Sequence, residues 1–217
     1  MQISDRIPDP ARDDARFVVS GEWAATGQEA AAGQEAAADR EAAAAAVVDA
    51  WRAQPWPEGL LSYSIYLDAD GDLVRDYAQW TGEPAVPDVP GVARRDHAEY
   101  RLYRGSRKGG VPGAFVVVRV DTDSADLSRT WVDAVFDALA HDEDLPPGGL
   151  GAFFHISTDG TRVLNYAEWE SAEAHRQALT ATGRGISNGP LWDKVQTMPG
   201  VRPQSVTRFH LYATLTP

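Results

Sequence analysis

Cysteine is absent from this chain of 217 residues. Without thiols the chain cannot form disulfides, thiolate nucleophiles, iron–sulfur clusters or cysteine-ligated zinc sites. Any metal site would need histidine and carboxylate ligands, and the chain has only five histidines. No spacing typical of such a site is present, and we predict no metal centre.

Positive charge is also scarce. The chain has 20 Lys and Arg residues against 32 Asp and Glu, for a formal net charge of -12, and lysine occurs only at Lys108 and Lys194. Proteins that bind nucleic acids or anionic membranes carry basic patches, which this chain lacks. We therefore predict a small neutral or apolar ligand, with neither nucleic acid nor membrane as a partner.

Long apolar runs are missing as well. No stretch approaches the roughly 20 apolar residues that span a bilayer, and the first residues, 1–6, lack the pattern of a signal peptide. These features predict a cytoplasmic protein. What is present is an ordinary globular composition, with 43% hydrophobic and 9% aromatic residues, which is enough to bury a core.

An internal repeat organises the chain. Residues 60–80 align without gaps on residues 149–169. Upstream of them, residues 16–23 and 114–120 are β-branched and aromatic runs that are typical of strands. The aligned segments share an Asp-Gly turn, at Asp70-Gly71 and Asp159-Gly160, and a Tyr-Ala-x-Trp segment that ends at Trp80 and Trp169.

A predicted helix follows the first strand of each copy. In the first copy it spans about Gly27 to Ala53, an Ala-rich segment that opens with a capping-box pattern. In the second copy Ser124 is positioned to cap a helix whose apolar residues recur at the spacing of one buried face. Those residues are Leu127, Trp131, Val132, Val135, Phe136 and Leu139.

Each copy closes with a strand, predicted over 99–103 in the first copy and 207–212 in the second. Before that strand the second copy has a further helix, capped by Ser171. The first copy has the Pro-rich segment 81–92 at this place, and we predict that the helix has been lost there. The element order in each copy is therefore β-α-β-β-(α)-β.

This order is ferredoxin-like, and two such units can close a barrel by packing sheet against sheet. We predict an α+β fold in which two fused units form an intramolecular dimeric α+β barrel, either as a monomeric pseudo-dimer or as a homodimer. The Gly-rich, basic segment 105–113 is the predicted linker. The other predicted regions are an N-terminal tail at 1–13, a first unit at 14–104 and a second unit at 114–217.

One motif in the second copy carries a family resemblance. The segment Asn165-Tyr166-Ala167-Glu168-Trp169 follows an Asp-Gly hairpin and precedes a capped helix. It resembles the third strand of the antibiotic biosynthesis monooxygenase family, small dimeric α+β-barrel proteins that include anthrone oxygenases of aromatic polyketide pathways. The motif recurs in the first copy as Asp76-x-x-x-Trp80, where an Asp replaces the Asn.

The resemblance implies a function and a set of site residues. Family members oxidise an anthrone or hydroquinone to a quinone with molecular oxygen as co-substrate, without flavin or metal, so this chain is expected to be a cofactor-independent oxygenase in secondary metabolism. In the family this Asn and Trp line the substrate cavity, and Asn165 and Trp169 inherit that role. His175 is the expected proton relay. The family has a Tyr in this neighbourhood.

Strand geometry extends this predicted site. If the second hairpin pairs symmetrically about Gly160, His155 lies directly across from Asn165 and is the expected proton acceptor. The resulting cluster is expected to line the barrel interior. The same symmetry about Gly71 pairs Tyr66 with Asp76. The predicted substrate contacts are Tyr66, Asp76, Trp80 and Phe153, whereas His97 and His210 are interpreted as structural or surface residues.

Three alternatives stay open. A polyketide cyclase or isomerase of the same barrel shape would use similar proton transfers without oxygen. A non-catalytic protein that binds aromatic ligands would keep the fold and lose the chemistry. Heme degradation is the third, because some relatives combine Asn, Trp and His.

Overall fold

A computed structural model describes residues 1–25, 34–85, 92–141, 147–180 and 189–217. The chain divides into two compact units. The first unit contains Met1–Arg101 and Phe209–Pro217, and the second contains Leu102–Arg208. Both units combine helices with strands, and every strand pairing described below with its register is antiparallel.

In its described residues the first unit is a sheet with one helix. Its strands follow the order β1-β9-β3-β4-β2-β5, with antiparallel registers between neighbours. The elements that lie wholly in this unit are β1 (Gln2–Ser4), β2 (Phe17–Ala25), α1 (Gln34–Arg52), β3 (Leu60–Asp68) and β4 (Val74–Trp80). Two longer strands are divided between the units. The first unit contains β5 (Val92–Arg107) as far as Arg101 and β9 (Val201–Thr216) from Phe209 onward.

Within residues 102–141, 147–180 and 189–208, the second unit has three helices on a sheet in the order β5-β7-β8-β6-β9. Here β8 lies between β6 and β7 and is antiparallel to both. The elements are β6 (Ala114–Thr122), α2 (Ala125–His141), β7 (Gly149–Ser157), β8 (Arg162–Trp169), α3 (Ala172–Thr180) and α4 (Pro190–Gln196), with the remaining parts of β5 and β9.

Several local predictions are confirmed. Ser124 Oγ accepts the backbone N–H of Leu127 at 3.2 Å, and Ser171 Oγ accepts that of Ala174 at 3.0 Å, so both predicted caps satisfy a helix terminus. Helix α1 lies inside the predicted span 27–53, whose first residues, 27–33, fall outside the described part of the chain. In the Pro-rich segment, residues 81–85 are not helical, and 86–91 are not described.

The predicted boundaries differ from the observed ones. Strand β1 lies within the predicted tail, and β5 continues to Arg107, inside the predicted linker. The units divide between Arg101 and Leu102, and the last nine residues belong to the first unit. Helix α4 was missed, because its seven residues are too few to show a helical period. A tandem duplication that closes one barrel remains a prediction.

Each unit has its own apolar core between sheet and helix. In the first unit α1 buries Ala44, Val47 and Trp51 against one sheet face. In the second unit α2 and α4 cover the corresponding face, where Trp131, Val132 and Trp192 pack with buried strand residues. Burying each large apolar side chain contributes about 1.5–3 kcal/mol. Among the described residues, no helix combines the length and the apolarity that a membrane crossing requires.

Gly160 is expected to be required for the β7–β8 turn. Its φ is 77°, and a Cβ there would lie 2.4 Å from the Cβ of Ala125. Gly160→Ala should therefore lower the free energy of unfolding by about 1–3 kcal/mol, measured by urea denaturation. Gly82 is the matched control, because a Cβ there would meet no atom within 4 Å. Equal effects of the two alanine substitutions would contradict this explanation.

Candidate functional site

The register of the two hairpins decides which candidate residues share a sheet face. In the second unit Asn165 lies opposite Phe154, and His155 lies opposite Leu164. The predicted pairing of His155 with Asn165 is therefore wrong by one residue. The loop between Ser157 and Arg162 has an even number of residues, so the centre of the pairing falls between two residues and not on Gly160.

This shift places His155 on the face opposite to Asn165, because side chains alternate along a strand. His155 is fully buried, and its Nδ1 donates to the carbonyl oxygen of Phe153 at 3.1 Å. Burial lowers the pKa of His155 to about 4. His155 is thus a neutral core residue that cannot serve as the proton acceptor beside Asn165, and Phe153 shares its face.

The same shift occurs in the first unit. Asp76 lies opposite Ile65, and Tyr66 lies opposite Arg75. The predicted pair of Tyr66 and Asp76 is therefore separated by the sheet. Asp76 and Trp80 do share a face, since they are four residues apart on one strand.

The face that carries Asn165 is covered by helices and is not a barrel interior. Buried residues of α2 and α4 pack with Phe154 and Val163, the neighbours of Asn165 on this face. Ala178 of α3 packs with Ala167 and Trp169 farther along the same strand. The predicted location inside a barrel is therefore wrong, and the site lies between the sheet and the helices of the second unit.

Trp169 and His175 are brought together at one end of this face. Their ring centroids are 4.8 Å apart, with an interplanar angle of 68°. Arg208 Nε donates to Nδ1 of His175 at 3.0 Å, so the neutral ring carries its proton on Nε2. Burial, together with the charges of Arg208 and Arg176, lowers the pKa of His175 to about 4. His175 is therefore a hydrogen-bond donor near neutral pH.

Asn165 is the polar side chain at the centre of this face. It is partly exposed, yet its Oδ1 is buried and has no hydrogen-bond partner among the described residues. Its neighbours Val118 and Ala152 are also partly exposed. An unsatisfied buried polar atom costs about 1–3 kcal/mol, which a bound ligand that offers a hydrogen bond would recover.

Asp76 occupies the matching position in the first unit and has a different environment. It is fully buried, and its Oδ1 accepts the backbone N–H of Gly21 at 2.8 Å. Its Oδ2 accepts hydrogen bonds from Trp23 Nε1 at 2.8 Å, from Tyr63 OH at 2.9 Å and from His97 Nε2 at 2.9 Å. We call Asp76 and these four donors the Asp76 network.

No local sequence pattern links His97 with Asp76. A β-bulge brings them together, because Ser20 pairs with Ala98 and Glu22 with Arg95, which leaves Asp96 and His97 opposite Gly21. Asp96 has a φ of 55°, a conformation that Asp tolerates better than most residues. A Cβ on Gly21 would lie 2.3 Å from Cγ of His97. Gly21 within a strand pattern was the available signal.

The hydrogen-bond donors keep Asp76 ionised. Burial by itself raises the pKa of this carboxyl group, but the charge and hydrogen bond of His97, with those of Tyr63 and Trp23, outweigh it and lower the pKa below its ordinary value. Trp80, on the same face, is fully buried. His210, by contrast, is exposed, as predicted. The described residues contain no group of three His, Asp or Glu side chains that could hold a metal ion.

Asp76→Asn is expected to destabilise the protein on the order of 3 kcal/mol, because an amide cannot accept every donor of the Asp76 network. The wild-type contribution of this ionised group should be present above the ordinary carboxyl pKa, near 4. It should be lost as the pH falls through the lower folded-state value. Urea denaturation at several pH values tests this. Exposed Asp72→Asn is the control, and an equally small effect of both substitutions would refute the role of the network.

His155 should also make stability depend on pH. Its pKa in the folded state is about 4, below the unfolded value near 6.5, so between these values the unfolded chain binds more protons. Wild-type stability should fall as the pH drops through this window, by up to about 3 kcal/mol from His155. His155→Gln should reduce this slope without abolishing it, because His175 contributes the same dependence. His141→Gln, at an exposed histidine, is the control substitution.

Comparison with solved structures supports the fold. An anthrone oxidase-like protein aligns over 94% of both chains with a TM-score of 0.66 and 12% identity. A candidate monooxygenase from Fusobacterium nucleatum aligns over 93% of this chain and 95% of its own, with a TM-score of 0.52 and 10% identity. A monooxygenase-like protein from Listeria innocua aligns over 91% and 94%, with a TM-score of 0.50 and 12% identity.

No protein-family model and no curated protein matches the chain. At 10–12% identity the structural likeness establishes the α+β ferredoxin-like fold. It does not transfer substrates or residue roles, which must be argued from the site itself.

Proposed function

We propose that the second unit is a cofactor-independent oxygenase that binds an electron-rich aromatic substrate on the helix-covered face beside Asn165. The observation that carries the proposal is the state of Asn165, whose buried Oδ1 has no partner in the described part of the chain while the side chain is partly exposed. The fold shared with monooxygenase-like proteins is consistent with this activity.

The surroundings of Asn165 support an aromatic substrate. Farther along the strand Ala167 and Trp169 are buried and pack with Ala178 of α3. The partly exposed neighbours of Asn165 are the apolar residues Val118 and Ala152. A substrate ring would therefore lie against these two residues, with its oxygen at the amide.

The chemistry requires little from the protein. An anthrone loses a proton from its central ring, the resulting anion reduces molecular oxygen, and loss of water leaves the quinone, so that anthrone and O₂ give anthraquinone and water. Neither histidine is suited to accept the proton, because His155 is on the opposite face and Nδ1 of His175 already accepts from Arg208. The proton therefore leaves to solvent, and the Nδ2–H of Asn165 stabilises the substrate oxyanion by donating a hydrogen bond.

Anthrone turnover by the purified protein tests this proposal. Oxygen uptake is followed with an electrode, and anthraquinone formation by absorbance, with no added flavin or metal. Asn165→Ala should lower kcat about 100-fold, the usual effect of removing one oxyanion donor. Gln177→Ala removes an exposed amide from α3 and should leave kcat unchanged.

Other outcomes identify the alternatives. Substrate isomerisation or cyclisation under nitrogen, with no oxygen uptake in air, would identify a cyclase. Binding of anthrone without turnover in either gas would identify a non-catalytic binder. Turnover by Asn165→Ala at the wild-type rate would remove Asn165 from the mechanism.

A further inference from the structure

The registers of the two units allow their site residues to be matched position by position. Asp76 and Asn165 occupy the same place on β4 and β8. Their partners on β2 and β6 are Gly21 and Val118.

At two further matched positions nearby, the side chains of the two units differ strongly in size. On β2 and β6, the partner of Val74 is Trp23, and that of the matching Val163 is Val120. On β3 and β7, the partner of Ala78 is Tyr63, and that of the matching Ala167 is Ala152.

In the first unit these large side chains close the sheet face. Trp23 is 1% exposed and Tyr63 is fully buried, and both donate hydrogen bonds to Asp76. Trp51 of α1 packs on the Tyr63 ring at a centroid distance of 4.7 Å. The carboxylate therefore has aromatic donors supplied by its own chain, and no room is left for another ring.

In the second unit the position that matches Tyr63 is small and open, whereas Val120, which matches Trp23, is buried under α2 and α4. Val118, Ala152 and Asn165 are all partly exposed, whereas their counterparts Gly21, Tyr63 and Asp76 are all buried. Phe154, which replaces Ile65, does not fill the space, because its ring packs on Phe136 and Trp131 of α2. The second unit therefore lacks the Tyr63 ring that completes the first.

We propose that the first unit is a self-occupied copy of the site, in which Tyr63 stands where the second unit takes its ligand. The ligand is a hydroxylated aromatic ring whose hydroxyl group binds Asn165 as the Tyr63 hydroxyl binds Asp76. The chain accordingly takes one ligand, and Ala152 is the residue that admits the ring. This inference rests on the proposed location of the site beside Asn165.

The exchange of Asp for Asn fits this division. A carboxylate accepts hydrogen bonds only, so Asp76 suits the three side-chain donors fixed around it. An amide offers both an acceptor and a donor, so Asn165 can bind a phenol and can also bind the phenolate or ketone formed from it. A carboxylate at that place would repel the anion. The first unit is thus built for permanent internal partners, and the second for a ligand that changes its protonation state.

Titration calorimetry with 2-naphthol tests the inference independently of oxygen chemistry. The wild-type chain should bind one equivalent. Ala152→Tyr, which installs the first unit's residue, should weaken binding at least tenfold, and Ala152→Val should have an intermediate effect. Val111→Tyr is the matched control, because Val111 is 84% exposed, and it should bind like the wild type. Circular dichroism establishes that each variant is folded.

A second arm tests the hydroxyl contact. The methyl ether 2-methoxynaphthalene cannot donate a hydrogen bond and should bind the wild type several-fold more weakly than 2-naphthol, whereas Asn165→Ala should bind both equally weakly. Two equivalents per chain, unchanged affinity in folded Ala152→Tyr, or equal affinity of the wild type for both compounds would overturn the inference. If Ala152→Tyr does not fold, the affinity of Ala152→Val and the number of equivalents bound by the wild type test the inference instead. Binding of 2-naphthol without anthrone turnover would refute the proposed function and leave this inference intact.

Discussion

The two-residue period of a β-strand is the constraint on which the candidate site depends. Because successive side chains point to opposite faces, the register of each hairpin decides whether a polar residue meets the helices or the other face of the sheet. In the second unit it directs Asn165 and Trp169 towards the helices and His155 away from them. A shift of one residue would exchange the side chains that face the helices with those that face away, and would change the chemistry available on each face.

The matching positions Asp76 and Asn165 have different environments in the two units. Asp76 is a buried charge that is tolerable only because several donors surround it, since an unpaired buried carboxylate would be strongly destabilising. Those donors depend on a β-bulge and on the absence of a side chain at Gly21. Asn165 carries no charge and can tolerate an incomplete set of partners, which is the condition for an exchangeable ligand. The exchange of the carboxylate for an amide, together with Ala152 in place of Tyr63, therefore distinguishes a structural centre from a candidate binding site.

Much of the local structure could be predicted from the sequence. Strands β2 and β6 follow from β-branched and aromatic runs, and the caps at Ser124 and Ser171 follow from side-chain chemistry that acts within one helical turn. Boundaries were less predictable, because β5 and β9 each continue for 16 residues through segments whose Gly, Pro or charged residues indicate loops. Pairing with neighbouring strands compensates for these weak local preferences.

The sequence by itself determined the repeated element order, the two Asp-Gly turns, and the matching of Asp76-x-x-x-Trp80 with Asn165-x-x-x-Trp169, because these features depend on contacts between residues close in the chain. Only the tertiary structure decided which side chains meet. The partnership of His97 with Asp76 depends on a bulge between strands, and the contact of Arg208 with His175 joins residues 33 positions apart. Such contacts are set by strand register and helix packing, whose energies are summed over a whole sheet and leave no local pattern in the residues concerned.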